Sequence, residues 1–170
     1  QGLEYSLGRM EYDSGRDSTN TMGLWLKQDL QNNNQEWTIA YWHHAPYSKG
    51  NHDSDNPFPY IDFELKEMRE QFLPILEREG VDLLLCGHSH SYERSFLLNG
   101  HYGESSTFNA SHQVDGGSGD YIIDCPYIKN TEFSGAYKGT VYALVGGSGK
   151  TEAPVSGWPH PAMQIASTDN

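Results

Sequence analysis

The residues of this 170-residue chain best equipped for chemistry are histidines in two groups. His88 and His90 stand one residue apart, directly after the apolar run Val81-Asp82-Leu83-Leu84-Leu85-Cys86 and Gly87. His43 and His44 close a second run, Trp37-Thr38-Ile39-Ala40-Tyr41-Trp42. Imidazole is the commonest side-chain metal ligand near neutral pH and also the commonest general acid or base. A short apolar run that ends in imidazoles reads as a buried strand feeding a loop, and open α/β sheets bind their ligands at that carboxyl end.

The elements that must position these residues are legible between and around them. Ile61, Leu65, Met68, Phe72 and Ile75 mark an amphipathic helix, with Pro74 expected to kink it or start a second short helix and Gly80 to end it. Strand, helix, strand is a crossover unit, nearly always right-handed with parallel strands. Parallel strands bring both histidine groups to one sheet edge, gathering three or four imidazoles. His44 is adjacent to His43 and should point differently, so lining the pocket or hydrogen-bonding there fits it as well as ligation. Upstream, Met22, Trp25, Leu26 and Leu30 predict a helix capped by Thr19, Asn20 or Thr21, and Leu3, Tyr5 and Leu7 alternate like a short strand. Downstream, 98–137 reads mostly as loop, Val141–Val145 as a strand, and the proline-containing tail as loop with His160 at the surface. No internal repeat is visible.

Composition narrows the classes. With 18 Gly, 8 Pro and 36% apolar residues, a loop-rich α/β or α+β domain is favoured over a helical bundle. The net charge of −12 argues against nucleic acid and anionic membrane as partners, so an anionic substrate must be attracted locally. No stretch is long and apolar enough for a membrane span. Cys86 and Cys125 form no metal-binding pair, and a disulfide between them has no support. Neither signal peptide nor initiator Met is visible, and the sequence reads as a fragment.

Two stretches, WTIAYWHHAPYSKGNHDSD at 37–55 and DLLLCGHSHSYERS at 82–95, together resemble the second half of a calcineurin-like metallophosphoesterase, and most closely its purple-acid-phosphatase branch. The resemblance covers residues 20–100 well and extends loosely to 165. It implies a four-layer αββα sandwich, of which residues 1–170 would form a part, the C-terminal half of a catalytic domain. It further implies a phosphomonoesterase with two metal ions (Fe, Zn or Mn), a phosphate ester as substrate, and an extracellular or periplasmic location. His43 and His88 would bind one metal and His90 the other. His52 would sit over the substrate phosphate as hydrogen-bond donor or general acid, with His44 lining the substrate site. Tyr92, Glu93 and Arg94 would brace the histidine loop.

The chain departs from the family pattern where carboxylate ligands are due. No histidine has Asp two residues before it, so D-x-H is absent. Gly119-Asp120…Asp124 is one residue too long for G-D-x-x-D. Gly50-Asn51-His52-Asp53 matches G-N-H-D by letter but follows His43 instead of preceding it, so Asn51 is read as a loop residue and not a ligand. The alternative function is therefore a non-catalytic, truncated or degenerate module binding at most one metal. Other features point elsewhere more weakly. Gly146-Gly147-Ser148-Gly149-Lys150-Thr151 lacks the first Gly of a P-loop, and the prolines beyond it oppose a helix. Asp115–Asp120 is a single imperfect Gly/Asp repeat. Asp53, Asp55 and Asp62 could hold calcium or another metal ion but are more simply solvated acids, and Asn109-Ala110-Ser111 is a glycosylation sequon only in a secreted eukaryotic protein. His101 is a weak candidate for the pocket and His112 a loop residue.

Overall fold

A computed structural model describes residues 18–56, 62–123, 125–129 and 138–169; the alternation at Leu3, Tyr5 and Leu7 lies outside the described residues. Helix α1 (Thr21–Gln31) opens with the Asn20 side chain accepting from Gly23 N at 2.8 Å, which satisfies one of the free amides of the first turn. Its Leu26 and Leu30 are buried in the apolar core that also holds Ala40 and Trp42 of strand β1 (Ile39–His44). The strand runs through both histidines instead of stopping before them.

The crossover helix is a composite. Helix α2 (Phe63–Glu67) passes into a π-helical turn (Met68–Phe72) and then α3 (Leu73–Arg78), with Pro74 in the first turn of the last segment. A proline inside a helix has no N–H to donate and crowds the carbonyl four residues back. The widened turn, in which Leu73 N bonds to Met68 O, absorbs that conflict without ending the helix. Strand β2 (Leu83–Gly87) follows and pairs parallel with β1, Tyr41 opposite Leu85 and His44 opposite Gly87.

Strands β3 (Tyr92–Ser95), β6 (Val141–Val145) and β7 (Met163–Ser167) complete a five-stranded sheet of order β1-β2-β6-β3-β7, and β4 (Leu97–Leu98) pairs with β5 (Gln113–Asp115) in a small second sheet. β6 is parallel to β2, and β3 is antiparallel to both β6 and β7. The architecture is mixed α/β, as expected. Four strands do not show in the sequence pattern: β4 and β5, in and beside the stretch read mostly as loop, and β3 and β7 of the main sheet. Tyr92–Ser95 reads as the end of a loop and Met163–Ser167 as tail, because each is too short and too weakly patterned to show a period. One sheet face packs Ala40, Trp42, Leu84, Cys86, Tyr142 and Leu144 against Leu26, Leu30, Met68, Phe72 and Leu76 of the helices. The opposite face leaves Ile39, Leu85 and Val145 exposed. Cys86 is buried and Cys125 exposed, both as free thiols.

A polar core lies beneath the loop that follows β1. Arg69, on the π-turn and with no solvent exposure, donates from its NH1 nitrogen to Pro46 O and Ser54 O at 3.1 Å and pairs with Asp55 at 3.1 Å. Lys49 bridges Asp53 at 2.8 Å and Asp55 at 3.1 Å. These pairings occupy the acids that composition left as solvated or ion-binding candidates. His160 was expected at the surface and is instead fully buried, its ring against Tyr47 and its Nδ1 accepting from Ala162 N. Flanking prolines mark a turn, but this turn is folded inward over the loop.

Two expected outcomes follow from this buried network. Arg69→Met leaves Asp55 buried with less compensation, and should lower the unfolding free energy by about 3–5 kcal/mol in denaturant titration. Burial holds the His160 imidazole down at about 3 and that of His101 at about 4, against 6.5 for the free group. Below pH 6.5 the unfolded chain therefore binds protons that the folded chain refuses, so stability present above 6.5 is lost as pH falls toward those values. The melting temperature should drop over that acid window, and His160→Asn, which keeps an acceptor for Ala162 N, should give a shallower slope.

Candidate metal and phosphoester site

The site is built where β1 and β2 end side by side. Ligand nitrogens of His43, His44 and His88 lie within 4.8 Å of one another, and a second group, His52, Asp62 and His88, meets the same limit. His88 Nδ1 is 3.1 Å from His43 Nε2. The His52 ring stands over His88 with centroids 4.0 Å apart, and 6.4 Å from the ring of His90. The structure thus brings His43, His44, His88 and His52 together, with His90 alongside.

Backbone strain is concentrated here. Among the described residues, His88 and Asp62 are the two non-glycine residues with positive φ, 71° and 62°. Each such conformation costs about 1–3 kcal/mol and persists only where its surroundings impose it. For His88 the conformation lies directly after β2, where the chain turns from the strand into the loop. For Asp62 it precedes α2 and accompanies a carboxylate that contacts His52 Nδ1 at 2.6 Å and His88 Nε2 at 3.5 Å.

Electrostatics favour a neutral His88. Burial, followed by the neighbouring imidazoles of His52, His44 and His43, pushes its pKa down to about 4 despite the opposing pull of Asp62. At neutral pH its nitrogen lone pair is available to a cation. Behind the loop, Glu93 is fully buried and accepts from Ser48 Oγ at 2.6 Å and Ser91 Oγ at 3.1 Å. Burial raises its carboxyl to about 7 although those bonds work the other way.

The sequence profile of calcineurin-like phosphoesterases matches residues 5–92, more than half of the chain. The chain belongs to that family. Among curated proteins, an uncharacterized protein of Mycobacterium tuberculosis is 25% identical over 147 residues, covering 83% of this chain and 23% of the relative. Purple acid phosphatase 17 of Arabidopsis thaliana is 37% identical over 65 residues, 38% of this chain and 16% of the relative, and purple acid phosphatase 18 of the same plant is 31% identical over 102 residues, 56% and 20%. Among solved structures, purple acid phosphatase PPD1 from yellow lupin (Lupinus luteus) seeds superposes with a TM-score of 0.58 at 17% identity, over 90% of this chain and 23% of that one. That likeness shows the fold. The chain spans about a quarter or less of the length of these relatives.

In this member of the calcineurin-like phosphoesterase family the residues expected to brace the histidine loop divide by strand face. Glu93 points to the buried side and ties the histidine loop to Ser48, whereas Arg94 donates to Ser118 O at 2.9 Å and lies over the Tyr127 ring. Tyr92 stands two residues from Arg94 on the same strand, paired with Val145 and Ser167. His101 does not reach the cluster; it is buried beside Thr107, Phe108 and His112. Two groups at the site were not singled out from the sequence for what they touch. From the sequence Asp62 is one of three acids that could hold a cation or simply be solvated, because nothing in its spacing tells which histidine it will face. Glu152 directly follows the P-loop-like run Gly146–Thr151. Residues 146–162 hold no helix, and Glu152 Oε2 instead contacts His90 Nδ1 at 2.8 Å.

The three loops interlock at glycines. A Cβ on Gly146 would sit 1.8 Å from Ser89 O, and one on Gly50 would sit 2.1 Å from Ser89 Oγ. The first clash is with backbone and cannot be relieved by a rotamer. Gly146→Ala should therefore cost about 1–3 kcal/mol or more of stability by overpacking. Thermal melts check the size of that loss, and the His88 and His90 imidazole resonances should shift with it.

Proposed function

We propose that this chain contributes to the active site of a metal-dependent phosphoric ester hydrolase, of acid-phosphatase type, that cleaves phosphomonoesters at a binuclear metal centre. The observation that supports the reading most is the gathering of the His43, His44 and His88 ligand atoms within 4.8 Å at the ends of two parallel strands. The donor set fits a borderline transition metal: several imidazoles, one of them held neutral, with carboxylates close by. Zinc, iron and manganese all suit such ligands.

In this reading His43 and His88 hold one metal and His90 the other, with His44 lining the substrate site. When bound, the cations supply charge neutralisation and Lewis-acid activation for in-line displacement at phosphorus. The chain's own residues supply orientation and protons. Asp62 engages His52 at Nδ1 and leaves Nε2 as the atom that hydrogen-bonds the phosphate or hands a proton to the leaving oxygen. Glu93, through Ser48 and Ser91, holds the His52-bearing loop against the histidine loop. The carboxylate ligands of the family pattern come from polypeptide outside these 170 residues. An extracellular or periplasmic location belongs to the same reading.

The test compares this chain with a longer polypeptide that carries D-x-H and G-D-x-x-D motifs upstream. The 170 residues alone should bind zinc weakly and hydrolyse p-nitrophenyl phosphate slowly. The longer protein should contain two metal ions by elemental analysis and turn over the ester, and His52→Ala should lower its kcat by about 10²–10⁴-fold without loss of metal. Robust hydrolysis by the short chain would sink the two-part site. One metal or none in the longer protein, with no turnover, would replace the enzyme by a non-catalytic module.

A further inference from the structure

Resting on the phosphoesterase reading, one more set of contacts acquires a role. His90 lies where three loops meet, and each of the other two reaches it with a polar side chain. From the loop after β1, Asn51 Oδ1 accepts from His90 N at 2.7 Å and from Ser89 Oγ at 3.2 Å. From the loop after β6, Glu152 Oε2 meets His90 Nδ1 at 2.8 Å. The two visitors also bond each other, Asn51 Nδ2 donating to the same Glu152 oxygen at 2.6 Å. The second Glu152 oxygen takes Lys150 Nζ at 2.7 Å. Backbone bonds repeat the pattern, with Glu152 N to His90 O at 3.3 Å, Gly146 N to Ser91 O at 2.9 Å and Val155 N to Lys49 O at 3.1 Å.

We propose that Glu152 and Asn51 are positioning residues that clamp His90, fixing its main chain and its tautomer so that Nε2 is the nitrogen offered to a metal ion. An ionised carboxylate can only accept, so the His90 nitrogen facing it carries the proton. A neutral imidazole has one proton, and placing it on Nδ1 leaves the lone pair on Nε2. Carboxylate partners of metal-binding histidines fix ring orientation and raise ligand basicity in this way. The Lys150 ammonium, on the second oxygen, leaves the first free to accept from both His90 and Asn51. Asn51 adds what a carboxylate alone cannot. Its carbonyl holds the His90 amide while its amino group holds the carboxylate, so ring and main chain are set against one rigid group. The segment 146–152 thereby has a function without being a phosphate-binding loop.

The experiment has one readout that needs no metal and one that does. In the metal-free 170-residue chain at mildly alkaline pH, where imidazole is neutral, long-range proton–nitrogen spectra should show His90 with its proton on Nδ1. Glu152→Ala should shift it toward the Nε2–H form, and Glu152→Gln should give a smaller shift. Calorimetric titration with zinc ion should show Glu152→Ala weakening affinity by about 10–100-fold, with Glu152→Gln between it and the parent. The same substitution in a His90→Ala background should have no further effect on zinc, a result that loop tethering alone would not produce. An Nε2–H tautomer in the parent overturns the proposal, as does a Glu152→Ala variant that leaves zinc affinity unchanged. If the parent binds no zinc at all, the metal reading fails, and the tautomer measurement still decides whether the clamp exists.

Discussion

The parallel ladder between β1 and β2 is the constraint on which the rest depends. Its register sets Tyr41 beside Leu85 and His44 beside Gly87, so two histidine groups separated by more than forty residues of chain finish at the same height on one edge. Parallel pairing needs a crossover, and the composite helix α2–α3 supplies it while covering one sheet face. A slip of one residue in this ladder would send the buried Ala40 and Trp42 to the other face and separate the imidazoles. The apolar contacts that forbid the slip are thus also what assemble the site.

What the ladder cannot do is hold the long loop after β1, which has few apolar side chains to bury. Charges do that work. Arg69 under the loop, Lys49 within it and Glu93 behind it are buried, and with the half-buried Asp55 they tie it down by ion pairs and hydrogen bonds. Burying such groups is costly unless each is well partnered, and the gain is geometric definition more than net stability. The π-turn is part of the same device, since it is the segment that carries Arg69 under the loop.

Close backbone approach is the third ingredient. Gly50 and Gly146 let the loops after β1 and β6 come to within contact of Ser89, between the two histidines of the loop after β2. Any side chain there would push the histidine loop away from its supports. Positive φ at His88 and Asp62 is tolerated in this setting because three packed loops impose it.

The amino-acid pattern alone determined the elements with strong periodicity and the chemistry at their ends: α1, β1, the crossover helix, β2, β6 and the paired histidines. It did so because apolar runs and helical spacing are local signals, and because a strand–helix–strand unit has essentially one handed solution. It could not determine β3 and β7, whose residues alternate too weakly, nor the burial of His160, which depends on a tail folding back over a distant loop. The partners of the histidines were equally out of reach. Asp62 and Glu152 stand 10 residues from His52 and 62 from His90. Only packing of separate loops decides which acid meets which imidazole, because hydrogen-bond pairing over such distances in sequence is fixed by tertiary geometry and leaves no periodic trace in the chain.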